Sequence, residues 1–374
     1  MNPHVELNSR HNDEMLMFTL SGVNVSLANA IRRTILSDIP LVVFRTTPYQ
    51  ENKATIISNT SRLNNEILKQ RLSCIPIHIK DIEGFPMKNY QLEVNVENIT
   101  DTTMYVTTKD FVIKDLVTGK PISESKNREI FPANDYTGYF IDFVRLRPKI
   151  SDEIPGEKIN LTCEFSVGTA KEDGMFNAVS TCSYGFTVDS LAQDAILEKY
   201  KQTWKDEGKT KEEIDFEAKN WKLLDGLRIT RKDSFDFIIQ TIGIYDNVDL
   251  VHKACEILIN KFQYQDTLLE KDELEIKKAE NTMSNSFDII LENEDYTIGK
   301  VLEYFMYTKF YETKMLTFCG FKMMHPHDSY SIIRVAYKDA IDKSSIKGHL
   351  KECIDDSIQV FSRVKKEFLK LVKN

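Results

Sequence analysis

The chain opens with a pattern that returns near its other end. Leu16, Phe18 and Leu20 alternate as one face of a strand. The turn Ser21-Gly22-Val23-Asn24 follows, and Ser26 is read as the N-cap of an amphipathic helix with Leu27, Ala30, Ile31 and Ile35 on its apolar stripe. Pro40 ends it, because proline has no N–H to donate to the helix. Far downstream Phe287, Ile289 and Leu291 alternate again and Glu292-Asn293-Glu294-Asp295 turns the chain. Thr297 then opens a helix that carries Ile298, Val301, Leu302 and Phe305 on one face. Leu20 precedes Ser26, and Leu291 precedes Thr297, by the same six positions. Ala28 and Gly299 therefore share a place in the first helical turn, where a small residue lets another backbone come close.

Each copy also ends in a second amphipathic helix. Val248, Val251, Cys255, Leu258 and Phe262 follow the strand-like run 235–239. Ile346, Leu350, Ile354, Ile358, Phe361, Val364, Phe368 and Leu371 form a still longer stripe. Two readings stay open: the terminal helices pack on each other or on a partner, or the last is simply one long core helix. An exposed stripe needs a mate to bury it, so the pattern predicts an α+β chain of two strand–helix modules packed pseudo-symmetrically.

The first module is discontinuous, 1–50 with 159–263, and the second is 284–374. Residues 51–158 are rich in β-formers (90–96 and 104–107) with turn chemistry at Gly119-Lys120-Pro121, and are read as a β-rich insert domain. A charged insertion at 194–233, in which seven acids face seven lysines over 198–222, reads as a solvated helix pair or loop. The charged stretch 264–283 shows no clean stripe and is read as a flexible linker of ~20 residues, with an r.m.s. reach of about 25 Å.

Composition narrows the function. The 374 residues are 41% hydrophobic and 28% charged, enough to bury a sizeable core. Lys and Arg total 49 against 57 Asp and Glu, a formal charge of −8 and a poor basis for gripping a phosphate backbone. The first twenty residues lack the basic start and apolar middle of a secretory signal, and six scattered cysteines without a CxxC pair point to free thiols. Phosphate-loop, dinucleotide, nucleophile-elbow and zinc-protease signatures are missing from the sequence. His325 and His327 flank Pro326 and read as a turn before a strand 330–337, with no metal or cofactor expected. The competing reading is a metal-binding protein or enzyme built on His325, His327 and Cys319.

These segments resemble the α-like subunits of multisubunit DNA-dependent RNA polymerases. Residues 26–40 (Ser-Leu-Ala-Asn-Ala-Ile-Arg-Arg-Thr-Ile-Leu-Ser-Asp-Ile-Pro) are similar to the first helix of the larger α-like subunit. The segment 64–77 is similar to its approach to the insert, 168–180 to its partner-contacting loop, and 237–243 to the strand before its last helix. Glu294–Leu302, Gly320-Phe321-Lys322 and His325-Pro326-His327 are similar to the smaller subunit. Both types in one polypeptide resembles the fused α-like subunit of large cytoplasmic DNA viruses, which implies an intracellular protein of the virion and the viral factory in host cytoplasm.

The resemblance implies two α-like dimerisation modules and no catalysis: an assembly platform for the second-largest and largest polymerase subunits, with small accessory subunits also docking. It implies a chain monomeric alone and hetero-oligomeric in the polymerase, with no sequence-specific DNA binding and no membrane partner. Arg32, Arg33, Arg71, Lys171 and Glu172 are its implied partner contacts. Leu27, Ile31, Ile35, Ile298, Val301, Leu302 and Phe305 are the implied seam between halves. The family's metal site in the insert is not expected, since no cysteine lies between Cys74 and Cys163. Phe176 stands where the family usually has Trp, and Met175 where Lys is common.

Overall fold

The structure is a computed structural model that describes residues 1–11, 15–151, 153–280 and 283–372. Leu371's side chain and residues 281–282 of the expected linker lie outside the described set. In chain order the elements begin with β1 (His4–His11), β2 (Met15–Ser21), α1 (Val25–Ser37), β3 (Leu41–Val43), β4 (Ala54–Asn59) and α2 (Asn65–Ser73). Then come β5 (Tyr90–Glu97), β6 (Met104–Thr107), β7 (Val112–Asp115), α3 (Glu124–Ile130), β8 (Asp142–Leu146), β9 (Lys158–Glu164) and β10 (Ser166–Gly168). After β11 (Val179–Val188) follow α4 (Ser190–Asp206), α5 (Lys211–Leu223), β12 (Thr230–Thr241) and α6 (Asn247–Glu270). The chain finishes with β13 (Ile276–Lys278), β14 (Ser286–Glu292), α7 (Tyr296–Met306), β15 (Leu316–Lys322), β16 (Tyr330–Tyr337) and α8 (Lys343–Val372). Two compact units result: 1–35, 181–240 and 247–374 form one, and 36–180 with 241–246 form the other.

The first unit holds both copies of the repeat. Its two four-stranded sheets run β1-β2-β12-β11 and β13-β14-β16-β15. β2 pairs antiparallel with β12 (Phe18 opposite Phe237), as β14 does with β16 (Ile289 opposite Ile333). In β2 the alternation holds, with Leu16, Phe18 and Leu20 buried. In β14 it does not. Phe287 is only half-buried, while Asp288 and Ile290 join Ile289 and Leu291 inside, because this strand is paired on both edges and covered on both faces. The Asp288 carboxylate is satisfied there by Arg334, which donates two hydrogen bonds of 2.6 and 2.7 Å across the β14–β16 ladder.

α1 begins at Val25 and α7 at Tyr296, each one residue before the Ser26 and Thr297 openings expected, and the capping residues are Asn24 and Asp295. Asn24 accepts from the Ser26 backbone N–H at 2.9 Å, and Asp295 accepts from that of Thr297 at 2.8 Å. In each case the polar residue at the turn takes the capping role, and the hydroxyl residue falls inside the first turn. The small residue of α7 serves a ring rather than a backbone. A Cβ on Gly299 would lie 1.9 Å from Cε2 of Phe321 on β15.

The terminal helices pack on each other. Phe262 of α6 stacks on Phe361 of α8 with centroids 5.9 Å apart. Leu250, rather than the half-buried Val248, is the first buried apolar residue of α6, and Ile358 of α8 is half-buried beside the fully buried Ser357. At the far end of α8, Phe368 meets Phe18 edge-on at 4.9 Å, and Phe18 stacks on Phe237 at 5.0 Å. Each fully buried Phe is worth about 1.5–3 kcal/mol, and each ring pair about 0.5–1.5 kcal/mol more.

The expected flexible linker is largely structured. α6 runs to Glu270 with Gln265 and Leu269 buried, and β13 joins the edge of β14 with Ile276 inside. The acids that suggested a solvated stretch are tied to α8: Lys351 donates to Asp266 at 2.8 Å and to Glu270 at 3.1 Å, and Lys347 to Asp272.

The second unit is built on the sheet β4-β9-β5-β7, with two-stranded pairs β10-β3 and β6-β8. Its core gathers Phe44, Phe111, Phe131 and Phe143 with Leu92, Val94 and Leu161. An insert ending at residue 158 would remove β9, which pairs with both β4 and β5, so the boundary moves outward on both sides. The charged insertion is a helical hairpin, α4 and α5, starting before residue 194 and closed by Tyr200, Trp204 and Trp221.

Two predictions follow from this packing. Gly299→Ala overpacks against Phe321, at a cost of about 1–3 kcal/mol, against a helix-propensity gain of about 1 kcal/mol. We expect thermal denaturation to show a net loss, at about 2–4 °C per kcal/mol, that disappears in a Phe321→Ala background; a gain in stability from Gly299→Ala alone refutes the close-packing account. His349 lies against Phe310 with ring centroids 4.3 Å apart, and its Nδ1 is 3.1 Å from the Tyr337 hydroxyl. Burial holds its pKa below the ordinary 6.5. The unfolded chain therefore takes up this proton first. His349 contributes its full stability above about pH 6.5, and loses it as pH falls below that value toward the folded pKa. Melts between pH 7.5 and 5.5 should fall with pH, and His349→Phe should flatten that dependence.

Candidate partner-binding surfaces

All seven seam residues, Leu27, Ile31, Ile35, Ile298, Val301, Leu302 and Phe305, are buried. α1 and α7 meet through Arg33. Its Nη2 donates to Asp295 Oδ2 at 2.8 Å and its Nε to Thr297 Oγ1 at 2.9 Å, so a guanidinium of α1 binds the capping turn of α7. A carboxylate there already complements the helix dipole, and the arginine neutralises its outer side. The pair is about one-third exposed, so it adds no more than about 0.2–1 kcal/mol and acts chiefly as a register pin. At the other end of the helix pair, Val25, Ser26 and Asn29 of α1 line one open groove with Lys300 and Tyr304 of α7 and Tyr184 of β11. Together these contacts run α1 and α7 antiparallel.

Arg32, next to Arg33, points elsewhere. Its Nε donates to Asn29 Oδ1 at 3.0 Å. Its positive charge is felt by Cys182 and Tyr184 of β11, although burial raises both pKa values, that of Cys182 to about 12. On α7, Glu303 accepts from Lys300 at 2.5 Å and from the Phe321 backbone N–H at 3.1 Å, which fixes the helix on β15.

In the second unit Arg71 is committed internally. Its Nε and Nη2 each donate at 2.7 Å, to the carbonyls of Phe143 and Asp142, clamping α2 to β8. The loop 168–180 is held by a residue the sequence reading missed. Arg45 donates to Glu172, to Glu51 at 3.0 Å and to the Val167 carbonyl at 2.9 Å, with its guanidinium 5.7 Å from the centre of the Phe176 ring. No local pattern pairs Arg45 with a glutamate more than a hundred positions away. Lys171 is anchored through its backbone N–H, 2.8 Å from the Ser37 carbonyl. Its ammonium is exposed and meets no partner among the described residues. Of the five implied contacts, then, Arg33, Arg71 and Glu172 serve this chain's own structure, and Arg32 and Lys171 keep donors to spare.

The alternative chemistry at the C-terminal side is not assembled. The His327 backbone N–H donates to His325 Nδ1 at 3.2 Å within an exposed turn closed by Asp328. The Cys319 thiol is pushed up to about 12 by burial and donates to the Glu303 carbonyl at 3.8 Å. Among the described residues no three His, Cys, Asp or Glu side chains converge as a metal site, so His325, His327 and Cys319 form no such trio. No helix among these residues is long and apolar enough to cross a membrane.

Comparison with known proteins agrees with the duplication. The description "RNA polymerase Rpb3/Rpb11 dimerisation domain" fits the chain twice, over residues 17–262 and again over 286–367. The chain is similar to a DNA-directed RNA polymerases I and III subunit rpac1 of Dictyostelium discoideum, 32% identical over 178 residues, covering 45% of this chain and 48% of that protein. It is similar to the RPAC1 subunit of Bos taurus, 25% identical over 304 residues, 68% of this chain and 81% of the relative. A shorter match, 30% identical over 89 residues (23% of this chain and 31% of that protein), reaches the polymerase subunit Rpo3 of Pyrococcus furiosus. The match thus spans about half the length of the Dictyostelium relative and four-fifths of the bovine one. With the repeated strand–helix modules, the Arg33 contact between them and a family match over most of its length, this chain belongs to the RNA polymerase Rpb3/Rpb11 dimerisation-domain family, and it carries that domain twice.

Proposed function

We propose that the chain is a non-catalytic assembly platform of a DNA-directed RNA polymerase. Its two modules pair within one polypeptide, and the paired surface recruits the second-largest and then the largest subunit for transcription. The observation that carries this reading is the binding of the α7 capping turn by Arg33 of α1, which joins the two domain copies of one chain. The relatives' names, all polymerase subunits, support the complex to which it would belong. Arg32 and Lys171 are the contacts we assign to the second-largest subunit, because their cationic groups are not consumed internally. Fixed guanidinium forks suit interface carboxylates and carbonyls. Arg33, Arg71 and Glu172 shape the surfaces that partners meet. The joining of both modules in one chain supports placing it in a large DNA virus that transcribes in host cytoplasm.

Tethering makes the pairing intramolecular, so the isolated protein should sediment as a monomer of 43.3 kDa at every concentration tested. A concentration-dependent dimer would contradict pairing within the chain. Co-expression with candidate large subunits should recover a complex by affinity pull-down. Arg32→Glu together with Lys171→Glu should reduce recovery of the second-largest subunit at least tenfold while leaving the melting curve unchanged. Undiminished recovery would take both residues out of the interface.

A further inference from the structure

The second unit carries a cluster of arginines that the pairing of modules does not use. Arg62, Arg71, Arg145 and Arg147 line one cleft, together with Leu63 and Tyr105. Two of the four are spent. Arg71 is forked onto backbone carbonyls, and Arg147 donates to Glu157 at 2.5 Å, so a carboxylate already sits in this cleft on a guanidinium. Arg62 and Arg145 are exposed and have no hydrogen-bond or ion-pair partner among the described residues. Tyr105 of β6 lies directly across the ladder from Arg145 of β8. It also lines a second concavity with Tyr139, Phe140 and Thr107, which joins the first through Tyr105 and Asp142. Tyr105 is 55% exposed and Tyr139 78%, so the Tyr105–Arg145 pair of β6 and β8 is flanked by Arg62 in one concavity and by Tyr139 in the other.

We infer that this cleft is a docking site for a short acidic segment of another polypeptide, one that places carboxylates on Arg62 and Arg145 and an adjacent apolar side chain on Tyr105 and Tyr139. The occupant follows from charge and size. Two unpaired guanidiniums lining one cleft suit two carboxylates, as the Arg147–Glu157 ion pair in the same cleft illustrates. Exposed Tyr beside Arg is the composition of an interface hot spot, where an apolar anchor shields the ion pairs from water. A nucleic-acid strand fits less well. It needs a row of free cations, and here two arginines are consumed while Asp142 and Glu157 line the same cleft. Neither Arg62 nor Arg145 supports the fold, so both can be changed without dismantling the unit.

The test is fluorescence anisotropy on the full-length protein with a labelled ten-residue peptide alternating Glu-Asp pairs with Leu and Phe, and with a labelled single-stranded oligonucleotide of equal charge. We expect the peptide to bind in the micromolar range, more tightly than the oligonucleotide, and more weakly as salt rises. Arg62→Glu and Arg145→Glu should each weaken it about 10-fold, and the pair more, with unchanged circular dichroism and melting. Lys199→Glu on α4 serves as the control of equal charge change and should leave binding intact. Absence of peptide binding, equal loss in the control, or tighter binding of the oligonucleotide would each overturn the assignment. Because monomer mass does not depend on this cleft, and the pull-down test rests on Arg32 and Lys171, which do not line it, its failure would leave the assembly reading standing.

Discussion

Phe18 and Phe368 come from opposite ends of the chain and meet edge to face in one core. That contact states the constraint on which the first unit rests: neither sheet–helix module closes on itself. β2 offers a row of apolar side chains, Leu16, Phe18 and Leu20, that needs a cover, and α8 is too long for the sheet that precedes it. Burying each against the other removes from water apolar surface that a lone module would leave exposed. The helices then organise outward from this core. Phe262 and Phe361 fix α6 on α8, and lysines 347, 351 and 365 of α8 reach acids on or just beyond α6. These ion pairs are exposed and weak singly, so their value lies in selecting one alignment of two long helices rather than in holding them together.

Much of this was legible in the sequence because burial follows period. The stripes of α1, α7 and α8 and the alternation of β2 can be read directly, and β16 has the bounds its pattern predicts. What was not legible depends on partners distant in sequence. The acids of 266–272 look solvated until α8 supplies lysines. Asp288 breaks the alternation of β14 and is tolerated because Arg334 meets it with two hydrogen bonds. A buried carboxylate without that partner would cost several kcal/mol, which is why a single residue on the facing strand decides whether the site can exist. The Ser26 cap and the Thr297 opening were misplaced for a local reason, since two capping residue types stand two positions apart and pattern alone does not rank them.

The candidate site divided in the same way. Which residues are cationic and near the modules was plain from the chain, but not which of them are already occupied. Arg33 and Arg71 look like surface contacts in sequence and prove to be internal clamps, whereas Arg32 and Lys171 retain free donors. Arg45 was invisible because its meaning comes from Glu51, Val167 and Glu172 together. Charge alone thus does not tell which arginines also clamp the chain's own elements.

Carrying the domain twice in one chain also removes a symmetry requirement. In a two-fold dimer of identical subunits every contact is made twice by the same residues, so a contact that suits only one side is unavailable. Here equivalent positions have diverged. Asn24 and Asp295 both cap their helices, but only the aspartate has an arginine on its outer face. Ala28 and Gly299 hold the same place, and the glycine leaves room for the Phe321 ring. Arg33 and Tyr304 also correspond: one donates into a capping turn, and the other lines the groove beside Ser26. The joined pair keeps the two-fold logic in its buried stripes, where shape and hydrophobicity suffice. It abandons that logic at the polar ends, where one specific pair fixes the register. The two ends of the α1–α7 pair therefore present different chemistry, a closed ion pair at one and an open tyrosine-lined groove at the other.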